Sequence, residues 1–490
     1  MPVDSKHAQF TEALASWVLV SDACAGEAAV KSKKKTYLPQ PNPDDTSTAN
    51  EKRYDQYLKR AVFYNVTRRT LCGLVGTAFR KPPETTLPAQ LDYLNEDASG
   101  AGVGLAQQSQ AVLSAVLKKG RHGLLVDYPQ IENASAADVI RLAIRPTIVE
   151  YDAEHIINWR ISKVGGEWKL SLVVLYESIS QPAADGFDID VVQQYRVLRL
   201  VDGVYQQEVW RKPSASSDWV MAEATLPRQA NGSTWNIIPF TFVGSINNDS
   251  DIDPSPLYDL ASLNLAHYRN SADYEDSVFF TGQVQPWISG LSEEWRDHLE
   301  KEGIYIGSRT PILLPEGGAF GFAQAAPNTL CGEAMATKEK QMAAIGARLI
   351  EAGSSVKTAT EAQGDLESEM SVLSSCAANV NAAYAKCLEW CSLFLGVTTE
   401  STFKILTDYV ESRIDPQVLT ALVALWQSGK YPTSDFWAQL RAKGLIDPEK
   451  TDEDIQDELD AEVPTGVNLD NPAVPPQPPK DGNDDSEDEQ

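Results

Sequence analysis

Residues 251–290 read DIDPSPLYDLASLNLAHYRNSADYEDSVFFTGQVQPWISG, and the character of the chain changes twice within them. Pro254 and Pro256 close off what precedes. Leu257, Leu260, Leu263, Leu265, Tyr268 and Tyr274 then fall at helical spacing along a segment that reaches about Phe280. There the helical period stops. Residues 283–323 hold short strand-like pieces, VQPWISG, GIYIGSR, TPILLPEGG and AFGFA, with the charged stretch SEEWRDHLEKEG between the first two. A helical period resumes from about Thr329 to Ile350 and again from Thr360 to Leu395. In that last stretch Ala362, Leu366, Met370, Leu373, Ala377, Val380, Tyr384, Cys387, Cys391 and Phe394 lie three or four apart, close to a heptad seam. A helix of that length would span ~50 Å, longer than a small domain needs. The order is therefore helix, compact insert, long helix, and long helix.

Upstream, residues 8–30 read as a helix of mixed face, followed by a loop rich in Pro, Asn and Asp over residues 39–50. From Glu51 to Ala78 the positions Tyr54, Tyr57, Leu58, Ala61, Val62, Asn65, Leu71, Leu74 and Val75 predict one amphipathic helix, stopped by Pro82 and Pro83. A second helix is expected over Leu105–Lys119, after Gly100, Gly102 and Gly104. It leads through a GRHG turn (residues 120–123) into the buried strand LLVDYP. Between Arg141 and Phe242 the runs LSLVVLYE, QQYRVLRLV and YQQEVW, broken by Gly-Gly, Asp-Gly and Pro-Ser signals, predict antiparallel strands and hairpins. Downstream, shorter helices are expected at 416–428 and 434–443. The last ~25 residues are Pro-rich, then acidic, and should stay disordered because nothing there repays chain ordering.

The chain has 490 residues, 42% of them hydrophobic, enough for a large core and two to four structural units. Its formal charge is −27, which argues at first against a nucleic-acid partner. Residues 447–490, however, hold 16 acidic residues against Lys450 and Lys480, so −14 is local and residues 1–446 carry only −13. Six cysteines show neither metal-ligand spacing nor a disulfide framework, and a reducing compartment is expected. The N-terminal stretch lacks a basic n-region, so no signal peptide is expected. Nowhere do ~18 consecutive apolar residues occur, so no membrane-spanning helix is expected either.

The chemistry of the common enzyme classes is missing from the sequence. GxxxxGK[ST] does not occur, and GSSVKTATE (residues 353–361) offers Gly, Lys and Thr at the wrong spacing for a phosphate loop. The alternating glycines of residues 99–104 follow LNEDA, which is not a buried strand, so a helix lead-in is the plainer reading than a dinucleotide cradle. There is no GxSxG and no HExxH. His7, His122, His155, His267 and His298 are scattered and read as surface or packing residues. Cys387 and Cys391, one turn apart on an apolar face, read as small hydrophobes. The sequence thus predicts no catalytic residue, no cofactor and no metal.

Two blocks carry a resemblance. YDQYLKRAVFYNVTRRTLCGLVGTAFRKPP (residues 54–83), followed by VLKKGRHGLLVDYP (residues 116–129), resembles the amino-terminal part of a branch of tailed-bacteriophage portal proteins. EYDAEHIINWRI, IPFTFVGS and residues 251–290 are similar to later parts of that branch. The helix, then TPILLPEGGAFGFAQ, then a helix ending in IGARLIE, is similar to portals generally. The resemblance covers roughly residues 51–395 and is less clear beyond.

It implies an α+β, portal-like fold: an α/β wing (1–248), a first stem helix (249–280), a small α/β clip (281–326), a second stem helix (327–351), a tunnel loop (352–363), a helical crown (364–446), and an acidic, Pro-rich, largely disordered tail (447–490). It implies a structural protein and not an enzyme. Such a protein is a subunit of a ring, twelvefold in virions, that forms the channel for double-stranded DNA at one capsid vertex during packaging, retention and ejection. The implied partners are other copies of the chain, the large terminase subunit, head-completion or adaptor proteins, the major capsid and scaffolding proteins, and double-stranded DNA without sequence preference, with no membrane. The implied location is the virion, with assembly in the host cytoplasm.

Long helices set side by side suit a closed ring, although an ordinary helical bundle would give the same periods. A mildly acidic wall lets DNA slide where a strongly basic one would grip it. Lys338, Lys340 and Arg348, with Lys357 in the tunnel loop, are the candidates for guiding the duplex; solvated or salt-bridged side chains are the alternative. Trp295, Arg296, Lys301 and Arg309 are the candidates for terminase and adaptor contact, with a plain surface helix as the alternative. Another phage head–tail structural protein without a channel, an adaptor or capsid subunit, is the competing function. The tail's charge would repel packaged DNA or keep unassembled subunits soluble.

Overall fold

The structure is a computed structural model. It describes the chain apart from residue 1 and residues 130–143, 183–186, 214–216, 303–313, 325–328, 351–370, 408–415, 443–445, 448–449 and 463–490. Lys357 and Arg309 lie outside the described residues, as do the whole of the expected tunnel loop (352–363), the start of the helix expected over 360–395 and the end of the tail. Residues 1–409 form one compact unit and residues 410–490 another.

The first unit is α+β. Its helices are α1 (Ala8–Ala25), α2 (Glu27–Ser32), α3 (Thr48–Arg60), α4 (Val66–Ala78), α5 (Leu105–Lys119), α6 (Tyr258–Thr281), α7 (Glu293–Glu302), α8 (Leu330–Arg348) and α9 (Val372–Leu395). Its strands are β1 (Glu84–Thr86), β2 (Arg121–Asp127), β3 (Thr147–Asp152), β4 (Ile156–Val164), β5 (Glu167–Pro182), β6 (Ile189–Val201), β7 (Val204–Arg211), β8 (Val220–Thr225), β9 (Phe240–Gly244), β10 (Gln285–Ser289), β11 (Ala319–Ala323) and β12 (Thr402–Lys404). Among the described residues no helix is long and apolar enough to cross a membrane.

Every described strand pair is antiparallel. Strands β4 to β8 form a five-stranded meander, β3-β2-β9 a three-stranded sheet, and β1-β12 and β10-β11 two ribbons. The tight hairpins come where the sequence marks them. Gly165-Gly166 and Asp202-Gly203 all have positive φ, the requirement of two-residue turns that follow the strand twist.

The expected helix over 51–78 is two helices. The chain leaves the helix at Ala61 and re-enters at Val66, and the break is satisfied from outside. Asn264 of α6, fully buried, accepts from the backbone N–H of Val66 and Thr67 at 3.1 Å and donates to Tyr64 O at 2.8 Å. Ser271 donates to Val62 O at 2.6 Å. Local periodicity cannot see partners two hundred residues away. The expected helix over 8–30 also divides, at Gly26, whose φ of 102° ends α1.

In α9 the seam positions Leu373, Ala377, Val380, Tyr384, Cys387, Cys391 and Phe394 are all buried, packed on β9, β2, β12, α4 and α5 of the same chain. Burial pushes the thiols of Cys376, Cys387 and Cys391 upward, so they remain neutral core groups, as the sequence suggests for the last two.

The second unit holds α10 (Pro416–Gln427), α11 (Thr433–Ala442) and α12 (Asp452–Glu462). Phe436, Trp437 and Ile455 form its core, joined by Leu422, Val423, Tyr431, Leu440 and Ile446. Helix α12 lies inside the tail expected to be largely disordered from residue 447, and orders its first part. Thr451 Oγ1 accepts from Asp454 N at 3.2 Å while Asp454 Oδ2 accepts from Thr451 N at 2.9 Å, a reciprocal cap. Arg441 pairs with Asp452, and Ile455 inserts into the core.

Candidate functional site

Helices α6 and α8 lie side by side and run in opposite directions. Tyr274 sits against Gly332, Asn270 Oδ1 accepts from Lys338 Nζ at 3.1 Å, and His267 Nε2 meets Glu339 Oε1 at 3.3 Å, so the pairing number falls on one helix as it rises on the other. The 48 residues between them, 282–329, form an insertion at the open end of the pair. Its base is the β10-β11 ribbon, in register from Gln285↔Ala323 to Ser289↔Ala319, and α7 follows β10.

The two halves of α6 differ. Leu260, Ala261, Leu265, Tyr268 and Ala272 are buried in the core, against α1, α3 and α4. Beyond them Tyr274, Val278, Phe279 and Phe280 are exposed, and so are Val284, Trp287 and Phe322 of the insertion. A partial cover comes from α3. The Arg60 guanidinium lies 4.3 Å over the Phe279 ring and pairs with Asp276 at 2.5 Å, and Arg53 lies 5.6 Å over Phe280. Tyr57 donates to Asp273 Oδ1 at 2.6 Å. Burial, followed by the hydrogen bond to Asp273, drives the Tyr57 phenol far above its ordinary pKa, so the lock stays neutral. The sequence reading missed this aromatic run. Its signal is the pair Phe279-Phe280, off the α6 core stripe and flanked by Asp276.

The proposed DNA residues are not equivalent. Lys338 is half-buried and bonded to Asn270, whereas Lys340 and Arg348 are exposed, two turns or ~12 Å apart along α8. In the insertion, Trp295 is half-buried and packs edge-on against His298, with ring centroids 5.8 Å apart. Arg296 is exposed beside Asp297 at 3.7 Å and Glu293 at 4.0 Å, and Lys301 is exposed. Trp295 and Leu299 share one face of α7 and the charges take the other, the pattern of a surface helix.

Residues 99–104 form the lead-in to α5: Asp97 Oδ1 accepts from Gly102 N at 2.8 Å, and a short 3-10 turn, Asp92–Asn95, precedes them in place of a strand. Among the described residues no group of three His, Cys, Asp or Glu side chains could hold a metal ion.

Residues 256–395 match a family described as a domain of unknown function, DUF4055. That window begins two residues before α6 and ends with α9. No curated protein matches the chain. Among solved structures the chain is similar to one from the virion of a native gene transfer agent particle, at 17% identity and a TM-score of 0.38, over 79% of this chain and 92% of that one. It is similar to one from the neck of an empty gene transfer agent particle computed with C6 symmetry, at 16% identity and 0.40, over 79% and 92%. A third comes from the neck of a native particle computed with C12 symmetry, at 17% and 0.38, over 78% and 92%. Likeness at this level fixes neither assembly nor role.

Proposed function

We propose that the chain is a structural component of a phage-type head, and more narrowly a portal subunit: one of a ring of copies, twelve by resemblance, that lets double-stranded DNA through at a capsid vertex. The observation that carries this reading is the antiparallel α6–α8 pair with its insertion, whose outer half leaves Val278, Phe280, Trp287 and Phe322 in solvent. Exposed side chains of that size on the outer half of α6 and on the ribbon that follows it favour cover by another copy. The sequence resemblance across residues 51–395 supports the same reading independently.

In such a ring each copy offers two different faces, and its exposed α8 surface turns Lys340 and Arg348 towards the bore. A few repeated cations on a wall whose parent segment carries only −13 guide phosphates without holding them. Lys338, committed to Asn270, contributes to the helix pair first. The charged face of α7, with Arg296 and Lys301, docks the terminase and later the head-completion proteins. The role is passive, and we assign no catalytic residue and no cofactor.

Negative-stain microscopy of the purified full chain tests the proposal. Rings with a central bore are expected, with no ATPase activity. Monomers that persist at high protein concentration overturn it.

A further inference from the structure

The turn Lys119-Gly120-Arg121-His122 places three basic side chains in four residues, and all three are buried. Buried charge persists only where it is paired, so each must have a partner. Lys119 Nζ lies 2.5 Å from Glu154 Oε2 and 3.7 Å from Asp152 Oδ2. Arg121 donates from Nη1 to Ser250 O at 3.0 Å and Asp251 O at 2.9 Å, with its guanidinium 4.3 Å from the Trp159 ring and 3.8 Å from that of Phe242. Both ring nitrogens of His122 face carboxylates: Nε2 lies 3.6 Å from Glu150 Oε2 and Nδ1 3.5 Å from Asp152 Oδ1. A neutral imidazole would turn one lone pair towards a carboxylate oxygen, and only the imidazolium has two N–H groups to offer.

The same turn also grips the root of α6. Gly120 has φ +65°, and a Cβ there would stand 2.4 Å from Asp253 O and 2.6 Å from Pro254 O, so only glycine fits. Ser255 donates to Lys118 O at 2.6 Å, and Trp17 Nε1 donates to Lys119 O at 2.8 Å. Residues 250–255 lead into α6 at Tyr258. One side of the turn therefore holds the carboxylates of β3 and the other holds the segment that launches α6.

We propose that Lys119–His122 is a charge-set joint, in which the imidazolium of His122 holds β3 to the turn and, through the turn, fixes the root of helix α6. The joint lies within one chain and does not depend on how copies assemble. Among the described residues the charged and titratable groups facing it are Lys118 and Lys119 from α5, Glu150 and Asp152 from β3, Glu154 from the following 3-10 turn, the buried Tyr384 phenol of α9 beside Glu150, and, around Arg121, Asp249, Asp251 and Asp253 ahead of α6 with His7 ahead of α1.

Burial works against the charge on His122, but the carboxylates of Asp152 and Glu150, at ion-pair distance from its two ring nitrogens, outweigh it and hold the imidazole above its ordinary pKa. A group raised on folding stabilises fully below its unfolded value and loses that contribution as pH rises through the folded one, so the joint loosens on the alkaline side. Asp152 is held well below the ordinary carboxylate range, first by its contact with the His122 imidazole 3.5 Å away, so on the acid side the joint fails only in strong acid.

Hydrogen–deuterium exchange of the full chain, corrected for intrinsic rates and followed from about pH 6 to about pH 9, reads the joint in peptides covering 147–155 and 250–262. Protection of both should fall together in one step. His122→Gln should abolish the step, and Glu150→Gln, whose site is partly exposed, should move its midpoint down by about one pH unit. If His122→Gln does not fold, Glu150→Gln carries the test. A step absent from the native chain, a midpoint unmoved by Glu150→Gln, or a step confined to 147–155 overturns the proposal.

Discussion

Helices α8 and α9 follow one another in the described chain, both rich in alanine and small apolar residues, yet they are used in opposite ways. In α9 thirteen residues are buried, among them every position of the near-heptad seam that the structure describes. In α8 only Met342 is buried, and Ala336, Ala343, Ala344 and Ala347 face solvent. A seam of 3.5-residue period says that a stripe will be covered; it does not say by what. For α9 the cover comes from strands and helices of the same chain, so this helix is core and not a free stave. For α8 the inner stripe is met by α6, with Gly346 beside Thr70 of α4, and the alanine face lies in solvent.

That contrast can be broken most sharply at its buried end. Tyr384→Ala in α9 opens a cavity and leaves Gln108 Oε1 without its 3.2 Å donor, and should cost about 3–5 kcal/mol in urea unfolding of the full chain. A loss under about 1 kcal/mol would mean that the seam is not core. Next comes Asn264→Ala, where α6 meets the 61–65 break. Val66 N, Thr67 N and Thr67 Oγ1 lose one shared acceptor, for about 1–3 kcal/mol, and amide exchange at Val66 and Thr67 should quicken. Unchanged exchange there would show that Asn264 does not hold the break. The smallest stability effect belongs to the open face. Val278→Ser should change unfolding by no more than about 0.5 kcal/mol while lowering ring yield in microscopy. A stability loss as large as that of Tyr384→Ala would place Val278 inside the fold and remove the contrast.

Much of the architecture is legible in the residues. Leu105–Lys119 has the predicted bounds, because its apolar period, its glycine entry and Gly120 at its end all agree. LSLVVLYE, QQYRVLRLV and YQQEVW lie within β5, β6 and β7. Helix α12 was missed: its signal, Thr451-x-x-Asp454 ahead of Ile455, was masked by the acidity of the segment. The candidate site was less legible. Lys338, Lys340 and Arg348 look alike in sequence, and only the reach of Asn270 separates the first from the other two. His122 reads as a packing residue until β3 brings Glu150 and Asp152 to either side of it.

The sequence by itself determined where the helical and alternating periods run, where Gly-Gly and Asp-Gly turn the sheet, and that the insertion separates two helices. Each of these is set within about ten residues by φ/ψ preference and side-chain spacing. Only the tertiary structure decided that α3 and α4 are separate, which face of α8 is open, and which buried charges neutralise one another. Those outcomes depend on hydrogen-bond and ion-pair partners brought together from distant parts of the chain, and a period in one segment holds no information about them.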